Sequence, residues 1–206
     1  GFGIGESTAV KFLGEDSGYI AKPGEVDDVT RYTELFGQGV TATGAQMASV
    51  YQTLGNHGVR IPLTLVEGCE MPDGTMSDQP STEGTRVVSA EAADTTIAMM
   101  ENVAVSGSAA SVVGVPGYRV AIKTGTAEVA RYGKYTEDRI ISVAGVAPAE
   151  DPKFAVVVTF GLPANQKTSF YAGSSFSKLM GQVLKYYRIE PSKGKTPEMT
   201  IEWGKG

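Results

Sequence analysis

Cysteine and histidine are almost absent from this chain: Cys69 and His57 are each the only one of their kind in 206 residues. One cysteine excludes an internal disulfide and leaves the redox compartment unread. No metal and no cofactor is expected. Long apolar runs are also missing, since none approaches the roughly 20 residues a helix needs to cross a bilayer. The chain opens on Gly1-Phe2-Gly3 rather than on a charged and then apolar leader, so any membrane anchor is expected outside these residues. A basic excess is lacking as well. Eighteen Lys and Arg against 23 Asp and Glu give a formal charge of -5 and a pI near 5.0. A nucleic-acid surface would need a basic face to neutralise phosphates, so no nucleic-acid partner is expected.

What is present is globular: 41% hydrophobic and 20% charged residues, with 26 glycines that imply many turns. The organising stretch is Val120-Ala121-Ile122-Lys123-Thr124-Gly125-Thr126-Ala127-Glu128. Tyr118, Val120 and Ile122 alternate with Arg119, Ala121 and Lys123 like the two faces of a strand. Its end sets an ammonium and two hydroxyls along one edge, and Gly125, lacking Cβ, admits another backbone or a ligand. That set suits a peptide carboxylate.

Around it, residues 1–35 read as a loop-rich lead-in. Thr43-Gly44-Ala45-Gln46 fits a capping box opening a helix over 43–55, with Met47, Val50, Tyr51 and Leu54 at helical spacing. Gly55-Asn56-His57-Gly58 ends it, and His57 is expected to be a surface cap with no nucleophile or orienting carboxylate nearby. Short strands over 61–66 and 86–88 should form a peripheral hairpin, 61–88, around the Pro72-Asp73-Gly74 turn. Ser89 caps a second helix, 89–105, with Ala93, Ile97, Met100 and Ala104 on one face. A β meander over 118–160 follows, with a polar connection over 129–137 and strands over 140–147 and 154–160. Phe176, Leu179, Met180, Val183, Leu184 and Tyr187 stripe a helix over 174–188 that should cross one face of the sheet. Residues 191–206 form a Lys/Gly-rich tail carrying Trp203. The expected class is α+β: an antiparallel sheet of at least three consecutive strands, flanked by helices.

In the order of these elements and in motif text, the chain resembles the transpeptidase domain of class B penicillin-binding proteins, the peptidoglycan enzymes of bacterial cell walls. The resemblance rests on Gly1-Phe2-Gly3 with Gly14-Glu15-Asp16-Ser17-Gly18, and on Phe36-Gly37-Gln38-Gly39 running to Gln46-Met47-Ala48 and Asn56-His57-Gly58. It continues through Lys123-Thr124-Gly125-Thr126-Ala127, then Val146-Ala147-Pro148 before Asp151-Pro152, and the last helix. Residues 1–190 would be the C-terminal part of one such domain, so the fold is expected to be penicillin-binding, serine-transpeptidase-like and incomplete. The family's nucleophilic serine, in Ser-x-x-Lys, and its Ser-x-Asn motif should precede residue 1, and no Ser-x-Asn occurs here. The string Ser175-Phe176-Ser177-Lys178 is set aside as nucleophile, because it follows Lys-Thr-Gly and lies at the start of the last helix.

The resemblance implies a D,D-transpeptidase that crosslinks stem peptides ending in D-Ala-D-Ala through an acyl-serine, and that β-lactams acylate. Lys123 would keep its proton and hold the second-motif serine. Thr124 and Thr126 would bind the substrate carboxylate beside Gly125, and the backbone N–H of Thr126 would be half of the oxyanion hole. No nucleophile lies in this chain, so alone it should be inactive, with the N-terminal part of the same domain as companion. The parent would work at the extracytoplasmic face of the bacterial cytoplasmic membrane. Arg131, Tyr132, Tyr135 and Arg139 read as solvated residues near the cleft. A non-catalytic scaffold of the same fold, or a β-lactamase or β-lactam-sensor relative, stays open as the alternative.

Overall fold

The structure is a computed structural model that describes residues 1–199 except 9, 11, 12, 23, 27, 133 and 163–169. Trp203 and the end of the expected tail therefore lie outside the described residues, as does most of the loop before the last helix.

The lead-in is not loop throughout, because a short helix, α1 (Asp28–Glu34), interrupts it. Its stretch holds no glycine or proline, and Asp28 in the first turn and Arg31 in the last suit the helix dipole. Helix α2 (Gly44–Gly55) opens with the full capping box. Thr43 Oγ1 accepts from the Gln46 backbone N–H at 3.1 Å, and Gln46 Oε1 accepts from that of Thr43 at 2.8 Å. Buried Gln46 also donates its side-chain amide to the carbonyls of Gly3, Glu6 and Ser17, at 3.3, 2.9 and 2.6 Å, stitching the lead-in to the helix.

Two small antiparallel pairs follow: β1 (Val59–Arg60) with β4 (Thr85–Arg86), and β2 (Cys69–Glu70) with β3 (Met76–Ser77). The strands expected over 61–66 and 86–88 are thus displaced towards β1 and β4. Pro62 supplies the reason: it lacks an N–H for the ladder and constrains Ile61 before it, so pairing stops at Arg60. Helix α3 (Ala90–Ser106) is capped by Ser89 and followed by the single turn α4 (Ala110–Val113).

The main sheet is an antiparallel meander of β5 (Ala121–Arg131), β6 (Lys134–Ala147) and β7 (Phe154–Leu162) in the order β5-β6-β7. The last helix, α5 (Phe170–Tyr186), starts earlier than the expected 174. Hydrophobic groups cover the sheet on both faces. Val120, Ile122, Ile141 and Val143 pack with Phe176, Met180 and Leu184 of α5. Ala121, Ala144 and Val146 pack with Tyr51 of α2 and with Ile97 and Met100 of α3. The chain is thus α+β, with helices on both sides of the sheet.

Most of the polar connection expected over 129–137 is instead strand, at 129–131 and 134–137, because β5 and β6 continue as a two-stranded arm beyond the end of β7. A register irregularity between Glu128 and Ala130 passes into it. Pairing is reinforced by Glu128–Arg139 at 2.9 Å, Arg131–Asp138 at 3.0 Å, and the Thr136 hydroxyl on the Val129 carbonyl at 2.8 Å. With water on both faces, no apolar alternation marks such a strand.

Candidate active site

The approach to the Lys-Thr-Gly stretch is tied down before it is exposed. Arg119 makes a two-pronged ion pair with Glu101 of α3, Nε to Oε1 at 2.5 Å and Nη2 to Oε2 at 2.8 Å, and Glu101 is only 3% exposed. That hydrogen-bonded carboxylate holds the guanidinium even more firmly protonated than usual. The neighbouring Tyr118 hydroxyl donates to the Ile189 carbonyl at 2.6 Å, and the Arg119 N–H donates to Ser192 Oγ at 2.9 Å. Val120, Ala121 and Ile122 are then almost wholly buried. Lys123 is the first exposed residue of the strand.

Lys123 pairs with Ala144, Thr124 with Val143, Gly125 with Ser142 and Thr126 with Ile141. Since Ala144 belongs to the α2/α3 side and Val143 and Ile141 to the α5 side, Lys123 and Gly125 point to one face and Thr124 and Thr126 to the other. Ammonium and hydroxyls therefore lie on opposite faces of β5, whose outer edge has no strand partner among the described residues. Thr126 is exposed, and Thr124 and Gly125 are half-buried. The Lys123 Nζ donates to the Thr124 carbonyl at 2.6 Å. Among the described residues it forms no ion pair, whereas Arg119, Arg131 and Arg139 each have a carboxylate. A visiting anion at this edge meets its uncommitted cation at Lys123. Gly125 has its own explanation, because a Cβ there would stand 2.6 Å from Ser142 Oγ, so the group that approaches is the neighbouring strand's hydroxyl.

Other candidates separate from this edge. His57 is exposed at φ 52°, but the expectation that no orienting carboxylate lies near it fails, since its Nδ1 is 2.7 Å from Asp94 Oδ1 of α3. Sequence separation concealed that partner; both groups are solvated. Phe176 is fully buried, Lys178 is exposed, and Ser177 Oγ donates to the Gly114 carbonyl at 2.5 Å, which gives the Ser175–Lys178 string a packing role on α5. A second Ser-x-x-Lys string, Ser192 to Lys195, escaped the sequence reading. Its serine holds Arg119. Tyr132 is fully exposed at the arm's tip and Tyr135 is exposed. Sequence reading missed Glu101, although an acidic residue within the buried stripe of Ala93, Ile97 and Ala104 signals a buried cation partner. It also missed Ser142, which carries no signal in sequence.

Against known families, the penicillin binding protein transpeptidase domain matches residues 1–181. The chain belongs to that family. The chain is 36% identical to the peptidoglycan D,D-transpeptidase FtsI of Escherichia coli K12, across 100% of the chain and 34% of the relative. It is 32% identical to the penicillin-binding protein PbpB of Mycolicibacterium smegmatis, across 98% of the chain and 33% of the relative. It therefore spans about a third of the length of these relatives. Among solved structures it is similar to penicillin binding protein 3 of Mycobacterium tuberculosis complexed with ampicillin, at TM-score 0.86 and 29% identity over 95% of this chain and 46% of that one. A peptidoglycan synthetase from Bifidobacterium adolescentis gives TM-score 0.85 at 29% identity, over 98% and 37%. No described helix is long and apolar enough to cross a membrane, and no described cluster of His, Cys, Asp and Glu fits a metal ion.

Proposed function

We propose that this chain is the C-terminal half of a D,D-transpeptidase domain that crosslinks peptidoglycan stem peptides ending in D-Ala-D-Ala, at the extracytoplasmic face of a bacterial cytoplasmic membrane. The observation that carries the reading is Lys123, exposed and without an ion pair among the described residues, at the end of a buried stem on a strand edge that has no described partner. The serine nucleophile comes from the N-terminal part of the same domain. It attacks the carbonyl carbon between the two D-alanines, a C–O bond forms, the C–N bond breaks, and the terminal D-Ala leaves with a proton on its amine. A second stem-peptide amine then displaces the serine and completes the crosslink. β-Lactams acylate the same serine.

In these steps Lys123 keeps its proton, holds the second-motif serine and draws the substrate carboxylate to the edge. Thr124 and Thr126 donate hydroxyls to that carboxylate beside Gly125, and the open edge of β5 pairs with the peptide as an added strand. The Thr126 N–H serves as one oxyanion donor, and such a donor contributes about 3 to 4 kcal/mol to lowering the barrier. Two features support a companion polypeptide. The outer edge of β7 has no partner among the described residues, and Leu13, Leu35 and Phe36 of the lead-in are 97%, 84% and 72% exposed.

A fluorescent penicillin tests the reading. The 206-residue chain alone should take no label, and adding the N-terminal portion should restore labelling on that portion's serine. Label on Ser175 of the isolated chain would overturn the assignment of the nucleophile. An assembled domain that binds no penicillin would instead favour the non-catalytic scaffold.

A further inference from the structure

A cavity of about 290 Å³ lies away from the strand edge, between the lead-in, α2 and β1. Phe2, Ile61 and Leu63 give it apolar walls. Arg60 lines it too. The guanidinium lies so closely over Gly3 that a Cβ on that residue would stand 2.2 Å from Arg60 Nη1, so a glycine at φ +82° is what makes room for the cation. Arg60 is half-buried, yet among the described residues it has neither an ion-pair partner nor a hydrogen-bond acceptor. Of the other arginines, Arg31 and Arg188 also lack a described side-chain partner but are exposed, whereas the half-buried Arg119 and Arg139 each hold a carboxylate.

A second group points the same way. Ser49 of α2 is 5% exposed, lines the cavity, and its hydroxyl makes no hydrogen bond to a described residue. The hydroxyl is not a sealed, unpartnered atom, so it is available to a group in the cavity that Ser49 and Arg60 both line. Gln46, also in the wall, is spent on the capping box and the lead-in carbonyls. Glu6 lines the cavity without pairing with Arg60. Its negative charge disfavours a dianion.

We infer that Arg60 and Ser49 form a binding site for a carboxylate carried on an apolar body. A guanidinium binds a carboxylate with charge-assisted hydrogen bonds, the serine adds a third donor, and the apolar walls take the attached group. The carboxylate has two possible sources: a free small molecule, or an acidic side chain of the polypeptide that the longer relatives have and this chain does not. This inference does not rest on the proposed activity.

The probe is 3-phenylpropionate, titrated into the 206-residue chain while the arginine Nε–H signals are followed by NMR. A saturable shift of the Arg60 signal is expected, with none for the neutral 3-phenylpropionamide. Arg60→Gln should weaken binding at least about tenfold, as loss of hydrogen bonds to a charged group does, and Ser49→Ala should weaken it about threefold. Arg60→Lys, which keeps the charge but not the fork, should recover part of the affinity and so separate site loss from unfolding. Equal binding of acid and amide, or a titration unchanged by Arg60→Gln, would overturn the proposal. So would Glu6→Gln shifting the Arg60 signal as the probe does, since Glu6 would then be its partner. In the assembled longer protein, an Arg60 signal that no longer responds assigns the carboxylate to the upstream polypeptide; a retained response assigns it to a free molecule.

Discussion

The entry of β5 and the rest of that strand differ in almost every physical respect. Up to Ile122 the strand is buried on both faces and its entry is locked by the Glu101–Arg119 pair; from Lys123 onward its residues alternate between exposed and half-buried, and at its tip β6 has no β7 beside it. The entry can be changed only at a cost to the fold. From Lys123 onward the core sets fewer constraints, Gly125 against Ser142 being one, so the side chains exposed there are available to chemistry. Lys123 stands at the boundary, where a rigid stem presents a cation to water, and that is how a fold positions a charge without burying it.

The comparison breaks most severely at Arg119. Arg119→Ala leaves Glu101 charged and buried without a partner, which should cost about 3 to 5 kcal/mol in urea unfolding. Replacing both, as Glu101→Leu with Arg119→Met, should cost clearly less than the single change, because no orphan charge remains. If the single and double variants are equally destabilised, the pair is not what locks the stem. Phe176→Ala should approach the same loss, about 3 to 5 kcal/mol, by opening a cavity against Ile122 and Val143 on the α5 face.

That contrast was only partly visible in the sequence. The capping box of α2 and the stripes of α3 and α5 could be read because each is a local pattern with one buried face. The arm could not be read, since 129–132 and 134–137 are mostly exposed and leave no apolar period. The β1–β4 pair shifted because Pro62 limits the ladder more strongly than β propensity extends it. At the site, Lys123, Thr124, Gly125 and Thr126 stood out as text, but their division between two faces needed the register with β6. Glu101, eighteen residues before Arg119, and Ser142 under Gly125 are partners only in space.

A smaller effect comes from below the stem. Burial raises the Tyr51 phenol from 10.0 to about 12. The folded state thus keeps a proton that the unfolded state releases near pH 10, so the stability is intact below pH 10 and falls as pH rises to about 12. The loss assigned to this one group is about 2 to 3 kcal/mol. Tyr51→Phe should flatten that part of the stability curve, measured by urea unfolding at pH 9, 10, 11 and 12. An unchanged slope would mean that the face packed on α2 and α3 admits water to Tyr51.

The smallest effect on the fold should fall at the residue the fold presents. Lys123 is exposed, has no ion pair among the described residues, and gives one hydrogen bond to the Thr124 carbonyl, a group that water can satisfy. Lys123→Ala should therefore change unfolding free energy by no more than about 0.5 kcal/mol, as surface substitutions usually do. In the assembled domain the same variant should lower the rate of penicillin acylation by more than tenfold, because the positive potential at the edge and the hold on the second-motif serine go with it. A large loss of stability would mean that Lys123 belongs to the stem and that the boundary lies further along the strand. Stability and acylation both unchanged would place the chemistry elsewhere. Near-neutral stability with lost acylation is the combination that a rigid stem carrying a reactive edge requires.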